Sequence, residues 1–319
     1  MTPHLSVVIP IYNEEANVEQ LWARLSKVLK ENFDASGWEV VMTDDGSRDR
    51  SLEMILEIAR LEPRVKVVEF NRNYGQHAAI FAAFSQAAGD VIVTMDADLQ
   101  NPPEEIPKLV AKIDEGFDTV GGWRQGRQKN DSYFRTIPSK IVNAMTRRTT
   151  GVKLHDYGCM LRAYRREVID ALLHCRERSS FIPALANSFA KRITEIPVAH
   201  AERAAGDSKY GLWRLINLQF DLLTSFSLLP LQMLSVLGVV ISAIGFLLFI
   251  GLMVYRFVNP AGTVEGVFTL FAILFFFVGC QFIAFGLLGE YIGRIYVEVR
   301  DRPRYMIKKL HNCRDLTKQ

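Results

Sequence analysis

Short apolar runs alternate with amphipathic segments over the first 210 residues of the chain. Four runs are typical of buried strands: Leu5–Tyr12, Glu39–Asp44, Val65–Phe70 and Asp90–Asp96. The segments between and after them carry apolar residues at helical spacing and predict three helices: Glu15–Lys30, Arg50–Leu61 and His77–Ala88. Strands and helices that alternate in this way form right-handed βαβ units. We therefore predict an α/β domain with a mostly parallel sheet over residues 1–210.

Two long stretches without any charged residue follow this domain, at Met233–Tyr255 and Val267–Gly289. A helix needs about 20 predominantly apolar residues to cross a bilayer, and both stretches reach that length. Asn259–Gly262 lies between them and has the composition of a turn. These features predict a two-helix transmembrane region over residues 231–292. Two buried helices of a large soluble core are the alternative.

Residues 211–230 have an intermediate composition. Leu212–Leu229 mixes leucine and aromatic side chains with Arg214, Asn217 and Asp221. This mixture fits amphipathic helices that lie in the membrane interface. A helix packed on the α/β domain fits the pattern equally well, and both interpretations stay open.

Basic residues flank the two apolar stretches on their outer sides, whereas Phe257–Gly266 between them carries only Glu265 as a charge. The flanking basic residues are Lys209, Arg214, Arg294, Arg300, Arg302, Arg304, Lys308 and Lys309. Because positive residues stay on the cytosolic side, both termini are predicted to be cytosolic, with residues 293–319 as a C-terminal tail. The net charge of +3 is modest and gives no reason to expect nucleic acid as a partner.

Carboxylates stand at the ends of two predicted strands. Asp44 and Asp45 end the second strand, and Asp96 and Asp98 end the fourth. Ligands of parallel sheets bind at this edge, but the chain has neither GxGxxG nor a P-loop to hold phosphates. Two carboxylates supply hard oxygen ligands for Mg²⁺ or Mn²⁺, which also bind diphosphate. The alternative is that Asp98 caps the helix that begins near Pro102.

Several longer motifs carry a family resemblance. They are VIPIYNE at 8–14, DDGS at 44–47, NRNYGQH at 71–77, DADLQ at 96–100, DLQNPPEE at 98–105 and DYGCMLR at 156–162. Together they resemble the family 2 glycosyltransferases, and the longer ones resemble the polyisoprenyl-phosphate glycosyltransferases within that family. The resemblance runs from about Leu5 to Tyr305. It implies a GT-A fold, which is Rossmann-like, followed by the interfacial and membrane helices.

The resemblance also implies roles for individual residues at the donor site. Pro10, Tyr12 and Glu14 would line a uridine pocket, and Asp44 would contact the base, with Asp45 as a second candidate. Asp96 would lie by the ribose and diphosphate, and Asp98 and Gln100 would hold the metal. A loop with Arg203 and Lys209 would close over the diphosphate; a juxtamembrane basic patch is the alternative for Lys209.

A second group of residues would serve the acceptor. The resemblance assigns the acceptor phosphate to a basic cluster, for which the candidates are Arg124, Arg127, Arg135 and Ser139. A solvated basic loop is the alternative. Asp156 matches the general base of the family. A phosphate monoester is already mostly ionised near pH 7, so Asp156 would orient the acceptor or stabilise an oxocarbenium-like carbon instead. The remaining alternative is a turn residue before Gly158.

The function implied by the resemblance is transfer of one sugar from a UDP-sugar to undecaprenyl phosphate at the cytosolic face of the bacterial inner membrane. The first candidate sugar is 4-deoxy-4-formamido-L-arabinose, which would place the chain in lipid A modification and polymyxin resistance. Another sugar such as glucose is the alternative. The family also suggests a homotetramer. A processive synthase would carry a QxxRW motif and more spans, which the sequence lacks, and a non-enzymatic membrane scaffold is the remaining alternative.

Overall fold

The computed structural model describes residues 3–124, 155–156, 158–175, 182–199, 229–258, 267–300 and 302–313. The chain divides into two compact units. The first comprises Met1–Gln219 together with Arg302–Gln319, and the second comprises Phe220–Asp301. Each unit is treated separately below.

The first unit contains all eight described strands: β1 (Leu5–Ile11), β2 (Trp38–Asp44), β3 (Val65–Phe70), β4 (Val91–Thr94), β5 (Thr119–Arg124), β6 (Arg162–Arg165), β7 (Ile193–Val198) and β8 (Ile307–His311). Its helices are α1 (Glu15–Asn32), α2 (Ser51–Leu61), α3 (Gln76–Gln86), α4 (Ile106–Asp114), α5 (Arg166–His174) and α6 (Ile182–Phe189). A 3-10 turn at Pro103–Glu105 precedes α4.

The eight strands form one sheet in the order β7-β5-β6-β4-β1-β2-β3-β8. Strands β1 to β4 are parallel to one another, and β6 and β8 are the two strands that run against the other six. The predicted α/β fold with a mostly parallel sheet is therefore confirmed. The order β4-β1-β2-β3 places the carboxyl ends of these strands along one edge.

Alternate side chains of each central strand enter two different cores. Val7 and Ile9 of β1 pack with residues of α1 and α4 on one face of the sheet. Val8 packs with residues of α3 and α5 on the other. The period of two along the strand explains why the apolar runs are nearly continuous, since both faces of the sheet are covered by helices.

Strand β8 is a difference from the sequence analysis, which groups residues 293–319 as a C-terminal tail. Residues 307–311 instead pair antiparallel with β3 and form an edge of the sheet. The strand is short and half exposed, and it contains Lys308 and Lys309. Edge strands often carry charged residues of this kind, so the segment does not show the continuous apolar pattern of a central strand.

The second unit contains the two helices α7 (Leu229–Val258) and α8 (Val267–Val299). They cover the two uncharged stretches, and many of their large apolar side chains are exposed, including Val239, Leu247, Leu270 and Phe282. Within the described part of the chain, no helix reaches the length and apolarity needed to cross a membrane. The two membrane spans stay a prediction, and nearly all of residues 211–230 lie outside the described residues.

Candidate active site

The loops that follow β1 and β2 are tied together by hydrogen bonds. The backbone N–H of Asn13, which has a positive φ of 54°, donates to Oγ of Ser47 at 3.1 Å. In return, the Arg48 N–H donates to Oδ1 of Asn13 at 2.8 Å. The Glu14 N–H also donates to Oγ of Ser51 at 2.7 Å. These bonds fix Tyr12 and Glu14 at the carboxyl edge of the sheet.

A cleft of about 360 Å³ opens at this edge, which is large enough for part of a small ligand. Tyr12 and Asp44 line it together with Ser47, Phe70, Arg72, Lys308 and others. Tyr12 is 42% exposed, so its ring is accessible to a ligand. Pro10 lies beside this edge, in register with Thr43 of β2. Of the residues predicted for the uridine site, Tyr12 and Asp44 line this cleft, whereas Pro10 and Glu14 are not among its lining residues.

The carboxylate of Asp44 is buried at the base of the cleft. It accepts backbone N–H bonds from Gly46 at 3.2 Å and from Ser47 at 3.3 Å. Burial raises the pKa of Asp44, hydrogen bonds from Ser47 and Gly46 lower it, and the charge of Glu69 raises it further. Asp44 thus combines a structural role in its own turn with a position that lines the cleft.

Asp45 has a different role from the one the sequence suggests. Its carboxylate accepts hydrogen bonds from Nδ2 of Asn73 at 2.9 Å, the Tyr74 N–H at 2.6 Å and the Gly75 N–H at 2.9 Å. Both oxygens are thereby engaged with the loop between β3 and α3, and Asp45 does not line the cleft. Asp44 lines the cleft, whereas Asp45 holds this loop, and contact of either residue with a base stays a prediction.

Replacing Gly46 by alanine is expected to distort the cleft and to lower stability by roughly 2 kcal/mol or more. The residue has a φ of +70°, and an added Cβ would lie 2.5 Å from the carbonyl carbon of Arg72. Gly75 is the matched control, because its φ is +96° but no atom lies within 4 Å of an added Cβ. Thermal unfolding and UDP titration of G46A and G75A separate the clash from backbone strain. Equal losses of stability in G46A and G75A would show that the contact between the added Cβ and Arg72 is not the cause.

The Asp96–Asp98 turn follows β4. Asp96 is half-buried and accepts a hydrogen bond from Nε2 of Gln76 at 2.5 Å. Burial, and then the charge of Asp98, raise the pKa of Asp96 to about 7. Leu99 has a positive φ of 59°, which is strained for a residue other than glycine, and its buried side chain anchors the turn in the core. The core therefore stabilises this strained turn, with Asp96 and Asp98 on either side of Ala97.

The donor atoms of this turn fit a small divalent cation. Asp96, Asp98 and Gln100 all offer oxygen atoms, and the Gln100 N–H donates to Oδ1 of Asp98 at 3.2 Å. The described residues contain no cluster of three or more His, Cys, Asp or Glu that could hold a metal by itself. Mg²⁺ is commonly held by one or two carboxylates together with substrate phosphates, so a two-carboxylate turn suffices. The alternative assignment of Asp98 is as the cap of the helix near Pro102. The 3-10 turn there is preceded by Pro102 and has no side-chain cap, so Asp98 does not have that role.

Arg124 and Asp156 form a bidentate ion pair. Nε of Arg124 lies 2.6 Å from Oδ2 of Asp156, and Nη2 lies 2.9 Å from Oδ1. The two side chains are only 11% and 12% exposed. Burial acts to lower the pKa of Arg124, but the hydrogen bonds and charge of Asp156 outweigh it and raise that pKa. The sequence analysis gives these residues separate tasks, whereas the structure joins them directly.

The ion pair belongs to the same site as the Asp96–Asp98 turn. The charge of Arg124 acts on Asp96 and lowers its pKa, which opposes the effects of burial and of Asp98. The charge of Glu14 also acts on Asp96, in the raising direction. Arg124 is therefore a positive group that acts on the carboxylates at this edge of the sheet.

Three residues that the sequence analysis does not select position the catalytic candidates. Glu195 of β7 accepts the Asp156 N–H at 3.1 Å and the His155 N–H at 2.6 Å. Nη2 of the fully buried Arg162 donates to the Asp156 carbonyl at 2.8 Å. Gln76 holds Asp96. Arg162 lies within DYGCMLR and could have been selected from that motif, but nothing in the sequence marks Glu195.

Five predicted site residues lie outside the described residues: Arg127, Arg135, Ser139, Arg203 and Lys209. Their assignments to the acceptor phosphate and to the diphosphate loop stay predictions. Arg124 is the acceptor candidate that lies within the described residues, and it is paired with Asp156.

The chain has close relatives among known proteins. An undecaprenyl-phosphate 4-deoxy-4-formamido-L-arabinose transferase of Proteus mirabilis (strain HI4320) is 57% identical over 308 residues, covering 96% of this chain and 93% of the relative. A protein of the same name from Salmonella choleraesuis (strain SC-B67) is 56% identical with the same coverage. Among solved structures, a mycobacterial protein matches with a TM-score of 0.51 at 18% identity, over 70% of this chain and 73% of that one.

A family model gives the classification. Glycosyl transferase family 2 matches residues 6–173, more than half of the 319-residue chain. The matched segment includes the cleft at Asp44, the Asp96–Asp98 turn and the Arg124–Asp156 pair. The resemblance of the strand-end motifs is therefore confirmed, and the chain belongs to glycosyl transferase family 2.

Proposed function

We propose that this enzyme transfers 4-deoxy-4-formamido-L-arabinose from a UDP-linked donor to undecaprenyl phosphate. The names of relatives with 56% and 57% identity over nearly the whole chain support this donor and acceptor. The observation that carries the proposal is the joint position of the Asp96–Asp98 turn and the Arg124–Asp156 pair. The Asp96–Asp98 turn supplies oxygen ligands for a metal–diphosphate, and Arg124 supplies a cation for a second phosphate.

The donor occupies the cleft and the adjoining turn. Tyr12 and Asp44 receive the base, and Asp96 is assigned to the ribose and diphosphate. Asp98 and Gln100 would hold Mg²⁺ or Mn²⁺, and the cation would supply positive charge for the departing diphosphate. The bond between the anomeric carbon and the diphosphate oxygen breaks, and its electron pair leaves with UDP. An acceptor phosphate oxygen forms the new bond to the same carbon.

The acceptor phosphate exchanges with Asp156 on the guanidinium of Arg124. A guanidinium binds carboxylate and phosphate with the same two-pronged geometry, so the phosphate can take the place that Asp156 holds in the structure. The released Asp156 carboxylate then lies beside the bound phosphate, where it orients the acceptor or stabilises positive charge at the sugar carbon. Arg124 thus links arrival of the acceptor to release of Asp156.

The acceptor is a lipid, and the proposed location of the enzyme is the bacterial inner membrane with both termini in the cytosol. The sequence supports this location through the uncharged stretches of α7 and α8 and their basic flanks. The exposed apolar side chains of both helices also support it, since exposed patches of this size normally contact lipid or protein. A homotetramer is proposed from the family resemblance alone.

The test is a product assay with the full chain in lipid nanodiscs. UDP-4-deoxy-4-formamido-L-arabinose and UDP-glucose are each incubated with undecaprenyl phosphate and Mn²⁺ or Mg²⁺, and the lipid products are identified by mass. We expect the formamido-arabinosyl lipid as the main product. A product formed only from UDP-glucose would overturn the donor assignment. If neither donor gives a glycolipid, the transferase function is wrong, whereas recovery of the chain in the soluble fraction would contradict the membrane location.

A further inference from the structure

The edge strand β8 brings a lysine to the donor cleft. Lys308 lines the cleft with Tyr12 and Asp44, although more than 200 residues separate them in sequence. Nζ of Lys308 lies 2.6 Å from Oε1 of Glu69, which also lines the cleft. Strand β8 therefore contributes Lys308 to the lining of the donor cleft.

A β-bulge places this lysine. Phe70 pairs with Ile307 and Glu69 pairs with Lys309, so Lys308 is the extra residue of β8 at a register shift. Bulges turn a side chain away from the direction that regular pairing would give it. In this case the irregularity allows Lys308, rather than its neighbour, to make the ion pair with Glu69.

Glu69 needs a cation because it stands beside another carboxylate. It is the register partner of Asp44 on the adjacent strand, and both residues are buried. Like charges directly opposite each other in a sheet repel. The charge of Glu69 accordingly acts on Asp44 and raises its pKa, in addition to the larger effect of burial. Nε2 of His311 lies 3.6 Å from Oε2 of Glu69 but is a weaker partner than Lys308.

We propose that Lys308 is a positioning residue of the donor cleft, which pairs with Glu69 and so keeps Asp44 available for the nucleotide base. The inference rests on the proposed function, because it takes the cleft to be the nucleotide site. It adds that donor binding depends on residues 302–313, which follow the two apolar helices. The cleft is thus complete only when the chain has returned from the second unit to the sheet of the first.

The experiment measures UDP affinity of the full chain by calorimetry. Lys308→Met is expected to weaken UDP binding about 5- to 20-fold, a range typical of coupled neighbouring charges. Lys309→Met is the matched control, since Lys309 is the next residue and is exposed like Lys308, but has no ion pair among the described residues. It should leave the affinity within about twofold of wild type. Lys308→Arg keeps the charge and should retain most of the affinity.

The double variant K308M/E69Q tests whether Lys308 acts through Glu69. Removing the carboxylate as well should restore UDP affinity, and the KM for the donor should recover while kcat and the acceptor KM stay unchanged throughout. A simple loss of folding would move all these quantities and would also lower the melting temperature. The double and arginine variants keep the test valid if K308M folds poorly.

Each contrary result has a distinct meaning. Wild-type affinity in K308M, equal weakening in K309M, or no recovery in the double variant would each overturn the positioning role of Lys308. Absence of UDP binding by the wild-type chain would instead contradict the proposed function, and the inference with it. UDP binding with an unresponsive Lys308 leaves the proposed function standing.

Discussion

Asp98→Asn is expected to lower turnover about 10²- to 10³-fold, the usual effect of losing one group that stabilises charge in the transition state. The substitution keeps the shape of the side chain and its acceptor for the Gln100 N–H, but it removes one of the two charges of the turn. Asp96 alone is a weaker cation ligand, because burial, the largest cause that raises its pKa, remains in the variant. The metal–diphosphate would therefore lose its main anionic contact.

Two measurements identify the cause of that loss. Mn²⁺ binding in the presence of UDP, followed by electron paramagnetic resonance, should weaken in D98N in parallel with kcat. The melting temperature should stay close to that of wild type, because asparagine keeps the size of the side chain and an acceptor for the Gln100 N–H. Normal turnover, or lost turnover with normal Mn²⁺ binding, would show that Asp98 is not a metal ligand.

Asp45→Asn is the informative comparison for Asp98. The Asp45 carboxylate accepts three hydrogen bonds from residues 73–75, two of them from backbone N–H groups. An amide has only one oxygen to offer these donors, so the variant should lose stability through an unsatisfied buried group, by about 1–3 kcal/mol. The folded fraction should keep its metal affinity. Both aspartates follow a strand of the sheet. D98N is expected to lower metal affinity and turnover, whereas D45N is expected to lower stability.

The placement of these carboxylates at one edge was predictable because it follows from chain direction. Once β1, β2 and β4 are parallel, the residues after Ile11, Asp44 and Thr94 must meet at the same side of the sheet. Which oxygen faces the ligand was not predictable. Asp44 and Asp45 are adjacent in sequence. The path of the loop at Asn73 determines which of them accepts the hydrogen bonds of that loop, and this residue is Asp45.

Contacts between distant segments were beyond the sequence analysis for a physical reason. Arg124 and Asp156 are 32 positions apart, and each has a pattern that fits an independent role. Glu195 lies on a strand whose residues are mostly half-buried, so its sequence context gives no signal of a supporting role. Lys308 lies in a short basic segment that also satisfies the positive-inside rule. A sequence pattern reports burial and turns, but not which charged groups become partners.

Asp156→Asn should lower kcat about 10²- to 10⁴-fold, the range found for positioned acid–base groups, while UDP affinity stays nearly unchanged. The variant retains an oxygen for the Gly158 N–H but loses the charge that pairs with Arg124. Arg124 is then less occupied in the resting enzyme, so the acceptor phosphate should bind as well as or better than in wild type. The combination of a lower kcat with an unchanged or lower acceptor KM is specific to the exchange of Asp156 for phosphate.

Arg124→Lys supplies the reciprocal measurement. Lysine keeps the charge but lacks the fork that makes two parallel bonds, so acceptor KM should rise and kcat should fall. Arg24→Lys is a matched control, because Arg24 makes a similar bidentate pair with Glu104 at an exposed position, and its kinetics should equal wild type. If phosphate and Asp156 compete for one guanidinium, the effects of D156N and R124K on acceptor KM must be strongly non-additive. Additive effects would mean that the two residues act on separate groups and that the ion pair plays no part in the reaction.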